Sequence, residues 1–284
     1  MMIRKIYLLL FACFCTFFGL AQQNNNNKQY FSHDIGVLLG ASYYIGDLNS
    51  AHFAMSQPAI GAFYRFNYTY RISFKAAFNF GSIQGDDARS TNPDQLERNL
   101  NFKTSIMELS VRTEFNFWEY RIGHSKYVFA PYIFVGIGVF KFDPQGHIGN
   151  QWISLRDLST EGEGTPLNTA QKKYPLVQPV IPFGIGFKLN VSNYIGIGFE
   201  WGPRKTFTDY LDDVSGKYVD PIKLAQYKGA MAATMSNQSK TPGAISDDIG
   251  KQRGNPSTKD WYIYYGLVVS FKLQGKPKEC RSAL

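Results

Sequence analysis

Two apolar runs held four residues apart constrain what this chain can fold into. From Pro179 to Lys205 it reads PVIPFGIGFKLNVSNYIGIGFEWGPRK. In the first run Ile181, Phe183, Ile185, Phe187 and Leu189 share one face, and Pro182, Gly184, Gly186, Lys188 and Asn190 share the other. In the second, Ile195, Ile197, Phe199 and Trp201 oppose Gly196, Gly198, Glu200, Gly202 and Arg204. Successive side chains of a strand point to opposite faces, so the segment predicts a β-hairpin with one bulky apolar face and one of glycine and charge. A soluble sheet would carry Thr, Lys and Glu on its wet side. Large apolar groups outside and small or charged groups inside are what a narrow transmembrane barrel requires.

The same alternation recurs along the chain. His33–Ile45 sets Ile35, Val37, Leu39, Ala41 and Tyr43 against Gly36, Leu38, Gly40 and Ser42. Ala59–Tyr68 places Gly61, Arg65 and Asn67 inward, and the strand from Ile72 to Gly81 places Ser73, Lys75, Ala77 and Asn79 there. Phe102–Phe117 turns Glu108, Ser110, Arg112, Glu114 and Asn116 inward, with Ile106 set aside at its edge. Tyr127–Phe140 and Trp261–Leu273 complete the set, the latter with Gly266, Ser270 and Lys272 inward. The connections alternate long and short, the long ones being 46–58, 82–101, 141–177 and 203–260. The pattern predicts an all-β fold: an eight-stranded antiparallel transmembrane β-barrel over 33–273, with long extracellular loops, short periplasmic turns and both termini periplasmic.

A barrel of eight strands is only wide enough for side chains to fill. The inward charges Arg65, Lys75, Glu108, Arg112, Glu114, Lys188, Glu200, Arg204 and Lys272 are therefore expected to pair inside, leaving no open pore. These charges weigh against a soluble lipocalin-like barrel, whose interior takes apolar ligands. Tyr43, Tyr68, Trp118, Tyr127, Tyr194, Trp201 and Trp261 suit interfacial aromatic girdles.

Ahead of the barrel, Arg4 and Lys5 precede the apolar stretch Ile6–Leu20, and Gly19-Leu20-Ala21 supplies small residues before Gln22. Residues 1–21 read as a secretory signal peptide, and 22–32 as a polar spacer with nothing to bury. A lipoprotein signal ending at Cys13 is the competing reading. Cleavage after Ala21 removes Cys13 and Cys15 and leaves Cys280, in the basic tail 274–284, as the single thiol of an exported protein. Cys280 is expected either to form an intermolecular disulfide with a periplasmic partner or to stay a free thiol. The formal charge of +8 falls to +6 without Arg4 and Lys5, too little to indicate nucleic acid and consistent with ordinary solubility or with attraction to an anionic outer-membrane glycolipid surface or an acidic partner.

Catalytic motifs are hard to find. His33, His52, His124 and His147 are scattered, with no i,i+4 pair and no nearby cysteine, so a zinc site is not expected and no cofactor is implied. Gly136-Ile137-Gly138 and Gly184-Ile185-Gly186 lie in strand alternation rather than in a phosphate-binding turn. The run Asp209-Tyr210-Leu211-Asp212-Asp213 offers oxygens to calcium but lacks the spaced loop pattern.

Three loop motifs carry a resemblance. Arg204–Ser215 reads RKTFTDYLDDVS, Tyr44–Asn49 reads YIGDLN, and Thr160–Gly164 reads TEGEG. Together they resemble the PorG-type outer-membrane proteins of the type IX secretion system. The matching positions include Gly46, Asp47, Thr160, Glu161, Gly162, Arg204, Asp209, Tyr210, Asp212 and Asp213. The resemblance implies a non-catalytic outer-membrane barrel that contacts the periplasmic ring of that machine, formed by a lipoprotein and its partner, with roles in protein secretion and gliding motility. A small membrane-embedded barrel enzyme and a surface-binding barrel are the alternatives. The TEGEG and DYLDDVS loops emerge at neighbouring points of the barrel mouth and are expected to pack together as an external cap.

Overall fold

The computed structural model describes residues 31–241 and 244–273. The expected signal peptide, nearly all of the spacer, and the tail with Cys280 lie outside them. Ten strands form: β1 Ser32–Ile45, β2 Gln57–Asn67, β3 Ile72–Asp86, β4 Asn101–Asn116, β5 Phe129–Lys141, β6 Pro144–Ile148, β7 Gln151–Ser154, β8 Val177–Asn190, β9 Ile195–Thr206 and β10 Trp261–Leu273. Their order is β3-β2-β1-β10-β9-β8-β5-β4, and a β3–β4 ladder closes the ring into an eight-stranded antiparallel barrel. β6 and β7 form a hairpin attached to β4 beyond the barrel wall.

The alternation explains the register. Cross-strand partners such as Ile35↔Phe271, Ala62↔Phe78 and Val111↔Ile137 are all outward. Ile137 is 73% exposed, Leu267 60% and Leu109 59%. A continuous belt of such side chains around a closed sheet is stable only against acyl chains, so the barrel spans a membrane. No helix among the described residues is long and apolar enough to do so.

Inside, buried charged, aromatic and small side chains pack the barrel. Glu114 meets Arg65 Nε at 2.9 Å, Lys188 Nζ at 2.7 Å and Lys75 Nζ at 3.7 Å. Glu200 meets Arg112 at 2.6 Å and Lys75 at 3.0 Å, and accepts a hydrogen bond from the Tyr132 hydroxyl at 3.0 Å. Glu108 meets Arg204 Nε at 3.0 Å and accepts from Tyr262 at 3.0 Å and Asn79 at 3.0 Å. Inward glycines seat the rings beside these charges. A Cβ on Gly186 would lie 2.6 Å from the Tyr132 ring, and one on Gly36 would lie 2.4 Å from Phe63 and 2.2 Å from the Val269 carbonyl.

Both ends are closed. The β4–β5 turn folds beneath the barrel, burying Tyr120 and Ile122 against Ala130. Lys272 belongs to this end rather than to the charge network: it is half-buried, and its ammonium donates to the Ile122 carbonyl at 3.2 Å. Its cross-strand partner is Asp34, but that carboxylate is taken by the Asn67 amide at 2.7 Å and by Arg65 at 3.8 Å.

The loop boundaries also differ from expectation. Pairing of β3 with β4 continues to Asp86↔Asn101, so most of the predicted loop's ends are strand. Segment 141–177 contains the β6–β7 hairpin, and 203–260 contains short helices at Pro221–Lys228 and Ala230–Ser236. Ile106 is not an edge residue but is fully buried and inward. Tyr43 faces outward yet is buried, because Phe53, His52 and Tyr265 pack over its ring.

Replacing Glu114 by Ala leaves Arg65 and Lys188 buried without their shared carboxylate. A loss of about 3–5 kcal/mol is expected, as when one partner of a buried ion pair is removed. Urea unfolding of the barrel in lipid vesicles, followed by the shift in gel migration between folded and heated forms, measures it.

Candidate functional site

Above the barrel, the three loop motifs converge on one buried polar centre. The TEGEG turn needs its glycines, since Gly162 and Gly164 have φ of 75° and 69°, the left-handed region that other residues disfavour. This turn aims Glu161 at the DYLDDVS run. One carboxylate oxygen of Glu161 accepts from Ser215 N at 2.8 Å, both lie 2.9 Å from Gly216 N, and the second also accepts from the Tyr210 hydroxyl at 3.2 Å. Neighbouring Thr160 donates its hydroxyl to Asp213, which also accepts from Tyr174 at 2.6 Å. Tyr174 stacks on Tyr210 with centroids 4.7 Å apart.

Two arginines from elsewhere tie the loops. Arg253 Nη1 lies 3.1 Å from Glu161 and donates to the Asp213 carbonyl, while its Nε donates to Ser236 O at 3.0 Å. Arg98 grips Asp87 with two contacts, at 2.7 and 2.8 Å, and donates to the carbonyls of Asp47 and Arg253. The YIGDLN motif enters through Asp47, which accepts from Asn255 N at 2.8 Å, and through Asn49, whose amide closes the turn on Tyr44 O at 2.7 Å.

An apolar layer separates this centre from the charges in the barrel. Phe102, Ile106, Phe140 and Phe142 from the strand ends join Leu48, Leu100, Leu155, Leu211, Val214 and Met235 from the loops. The cap therefore packs onto the barrel's end through one shared apolar core.

Its electrostatics are strongly acidic. Asp87, Glu161, Glu163, Asp209, Asp212, Asp213 and Asp260 are all buried, against Arg253 and the partly covered Arg98. Burial pushes Glu163 up to about 7, with Asp213 adding to the effect. Burial likewise pushes Asp209 to about 7, and Asp213 to about 6 despite the opposing Arg253. The Asp209–Asp213 run spends its oxygens on backbone N–H and hydroxyl donors rather than gathering round one point. Among the described residues no group of three or more His, Cys, Asp or Glu is arranged to hold a metal ion.

Of the motif positions, Gly46, Asp47, Thr160, Glu161, Gly162, Asp209, Tyr210, Asp212 and Asp213 meet in the cap. Arg204 does not; it reaches down into the barrel to Glu108. Arg253, Arg98, Asp87, Tyr174 and Asp260 complete the centre without belonging to any motif. Single charged residues in long polar insertions give no periodic signal, and nothing in their local sequence marks them. The histidines stay apart, with His33 on Tyr64, His52 on Tyr43, His124 stacked on Tyr127 and His147 against Trp152.

The sequence profile of a domain of unknown function, DUF6089, matches residues 11–228. No curated protein matches the sequence. Solved structures similar to the chain include Ail, the attachment invasion locus protein of Yersinia pestis, in complex with the heparin analogue sucrose octasulfate. It has 9% identity over 86% of this chain and 97% of that one, with a TM-score of 0.38. The outer membrane protein OprG from Pseudomonas aeruginosa has 8% identity over 87% and 98%, with a TM-score of 0.38. Neisserial surface protein A has 9% identity over 86% and 97%, with a TM-score of 0.37.

Arg253→Met strands Glu161 as a buried charge. The cap is expected to lose about 3–5 kcal/mol while the barrel stays closed. Trypsin should then cut the 217–251 segment of detergent-solubilised protein faster than in the unaltered chain, with the folded barrel's gel migration unchanged.

Proposed function

The chain belongs to the DUF6089 family, and we propose that it serves as a non-catalytic outer-membrane component of the type IX secretion system, anchoring the periplasmic ring of the machine. The observation that carries this reading is the interior. Ion pairs and rings pack the barrel from wall to wall, and the turn carrying Tyr120 and Ile122 closes one end. Such a cylinder holds position in a membrane and conducts nothing.

The resemblance of YIGDLN, TEGEG and RKTFTDYLDDVS to the PorG-type proteins supplies the machine. In this reading the short turns 68–71, 117–128 and 191–194 and both termini face the periplasm. There they meet the ring lipoprotein and its partner, and Cys280 forms a disulfide with one of them. The capped end faces outward among outer-membrane lipids.

Affinity purification of the tagged full chain from detergent-solubilised membranes is expected to bring down the ring proteins, and deletion of the gene to stop export of secreted cargo and surface spreading. Planar-bilayer recordings are expected to show no steady conductance. Purification of the folded, capped barrel without the ring proteins, together with intact export in the deletion strain, would replace this reading with that of a surface-binding barrel.

A further inference from the structure

Between the motif contacts, the hydroxyl of Tyr44 lies 2.5 Å from Asp212 Oδ2 and 2.8 Å from Asp260 Oδ1. All three side chains are buried. The other carboxyl oxygens are engaged, Asp212 Oδ1 by Val214 N at 3.0 Å and Asp260 Oδ2 by Leu211 N at 2.9 Å. A phenol has one proton and can donate it to one acceptor in full. The second short contact is a hydrogen bond only if that carboxyl keeps its own proton and gives it to the phenol oxygen. With both carboxyls ionised, two acceptor oxygens would face each other in a buried site.

No positive charge makes a direct ion pair with either carboxyl, and Arg98, which is near enough to Asp212 to interact with it, is spent elsewhere. The β1–β2 loop presents Asp47, and the run after β9 presents Asp209 with Lys259 beside it. Arg98 is committed to Asp87, and Arg253 to Glu161. From the barrel below come Tyr262 and Glu108, the latter already paired with Arg204. Among the described residues no ion pair of Asp212 or Asp260 forms. Space is equally tight: a Cβ on Gly46 would lie 2.0 Å from the Tyr44 hydroxyl and 2.2 Å from Asp260 Oδ1.

We propose that Tyr44, Asp212 and Asp260 form a one-proton lock that fastens the external cap to the barrel and weakens as the pH rises. The three residues join β1, the DYLDDVS run and the foot of β10, so the lock ties both ends of the largest loop to the wall. Burial is the largest cause of raised carboxyl values here, and it holds both Asp212 and Asp260 well above the ordinary range. The sign follows from linkage. When the cap opens, the carboxyls return to about 3.9 and release the proton that the closed cap retains. Closure is therefore fully favoured below that value. It is progressively lost as pH rises toward the closed pair's own titration point, and levels off beyond it.

The test uses the full chain in detergent micelles. Amide hydrogen exchange in peptides spanning 208–216 is read from pH 5 to pH 10 and corrected for the intrinsic pH dependence of exchange. Protection is expected to fall with pH, while peptides from β3 and β4 hold theirs. In Asp212→Asn or Asp260→Asn an amide can donate to the phenol without titrating. Each is expected to remove one proton from the slope, about tenfold in protection per pH unit, and to leave the cap better protected than the unaltered protein at pH 8. An infrared carbonyl band of a protonated carboxylic acid is expected at pH 7 and should be lost on either substitution. A slope unchanged in both variants, pH-independent protection of the unaltered cap, or no band lost from the unaltered protein's spectrum would each overturn the lock. If one variant fails to fold, as shown by gel migration, the other variant decides the result.

Discussion

Every buried cation in the barrel sits between a carboxylate and an aromatic face, and the rest of the structure depends on that arrangement. Lys75 lies 4.1 Å above Phe63, Lys188 4.5 Å from Tyr132, Arg112 4.6 Å from Phe134, Arg204 4.8 Å from Tyr264 and Arg65 4.9 Å from Phe63. A dry cylinder cannot hold an ammonium or guanidinium unless its charge is met and its bulk is packed. Carboxylates meet the charge, and the negative faces of the rings add to the attraction while filling the space. Glycines on adjoining strands make room for the rings. Their abundance on the inward face is thus a packing requirement, not a sign of a soft wall.

The two polar centres are built on opposite terms. In the barrel, cations and carboxylates are nearly balanced, so each group has a counterpart within reach. In the cap, carboxyls outnumber arginines, and backbone N–H groups and hydroxyls do most of the satisfying. The apolar layer of Phe102, Ile106, Phe140 and Phe142 lies between them and keeps the two networks from sharing partners. Cap and barrel can therefore differ in stability even though the same chain runs through both. A rigid, filled spanning cylinder with a separately fastened lid suits an anchor that must stay closed while other parts of a machine work.

How much of this was legible in the sequence follows from where a single-residue pattern exists. Alternation along Ile181–Leu189 and Ile195–Trp201 fixes face and register, so the strands, the closure and most of the inward charges could be read directly. Asp34, which pairs with Arg65 at 3.8 Å, was missed because it sits at the first residues of β1, where alternation has just begun. The rings Phe63, Tyr132, Phe134 and Tyr264 were missed as interior partners because the eye assigns aromatics to lipid. Lys272 kept the right parity, but its cross-strand carboxylate, Asp34, is taken by Asn67 and Arg65. In the cap, the motifs named most of the centre. Asp260 and Arg253 come from loop positions fixed only by contacts across the whole fold, which no local pattern encodes.

The interior also has an uneven formal sum. Arg65, Lys75, Arg112, Lys188 and Arg204 are five cations, and Asp34, Glu108, Glu114 and Glu200 are four carboxylates, all buried among the strands. By formal count one cation exceeds the carboxylates, and an unmatched charge in so dry a sleeve is costly. The ring faces over Lys75 and Lys188 therefore carry the share of the attraction that no carboxylate supplies.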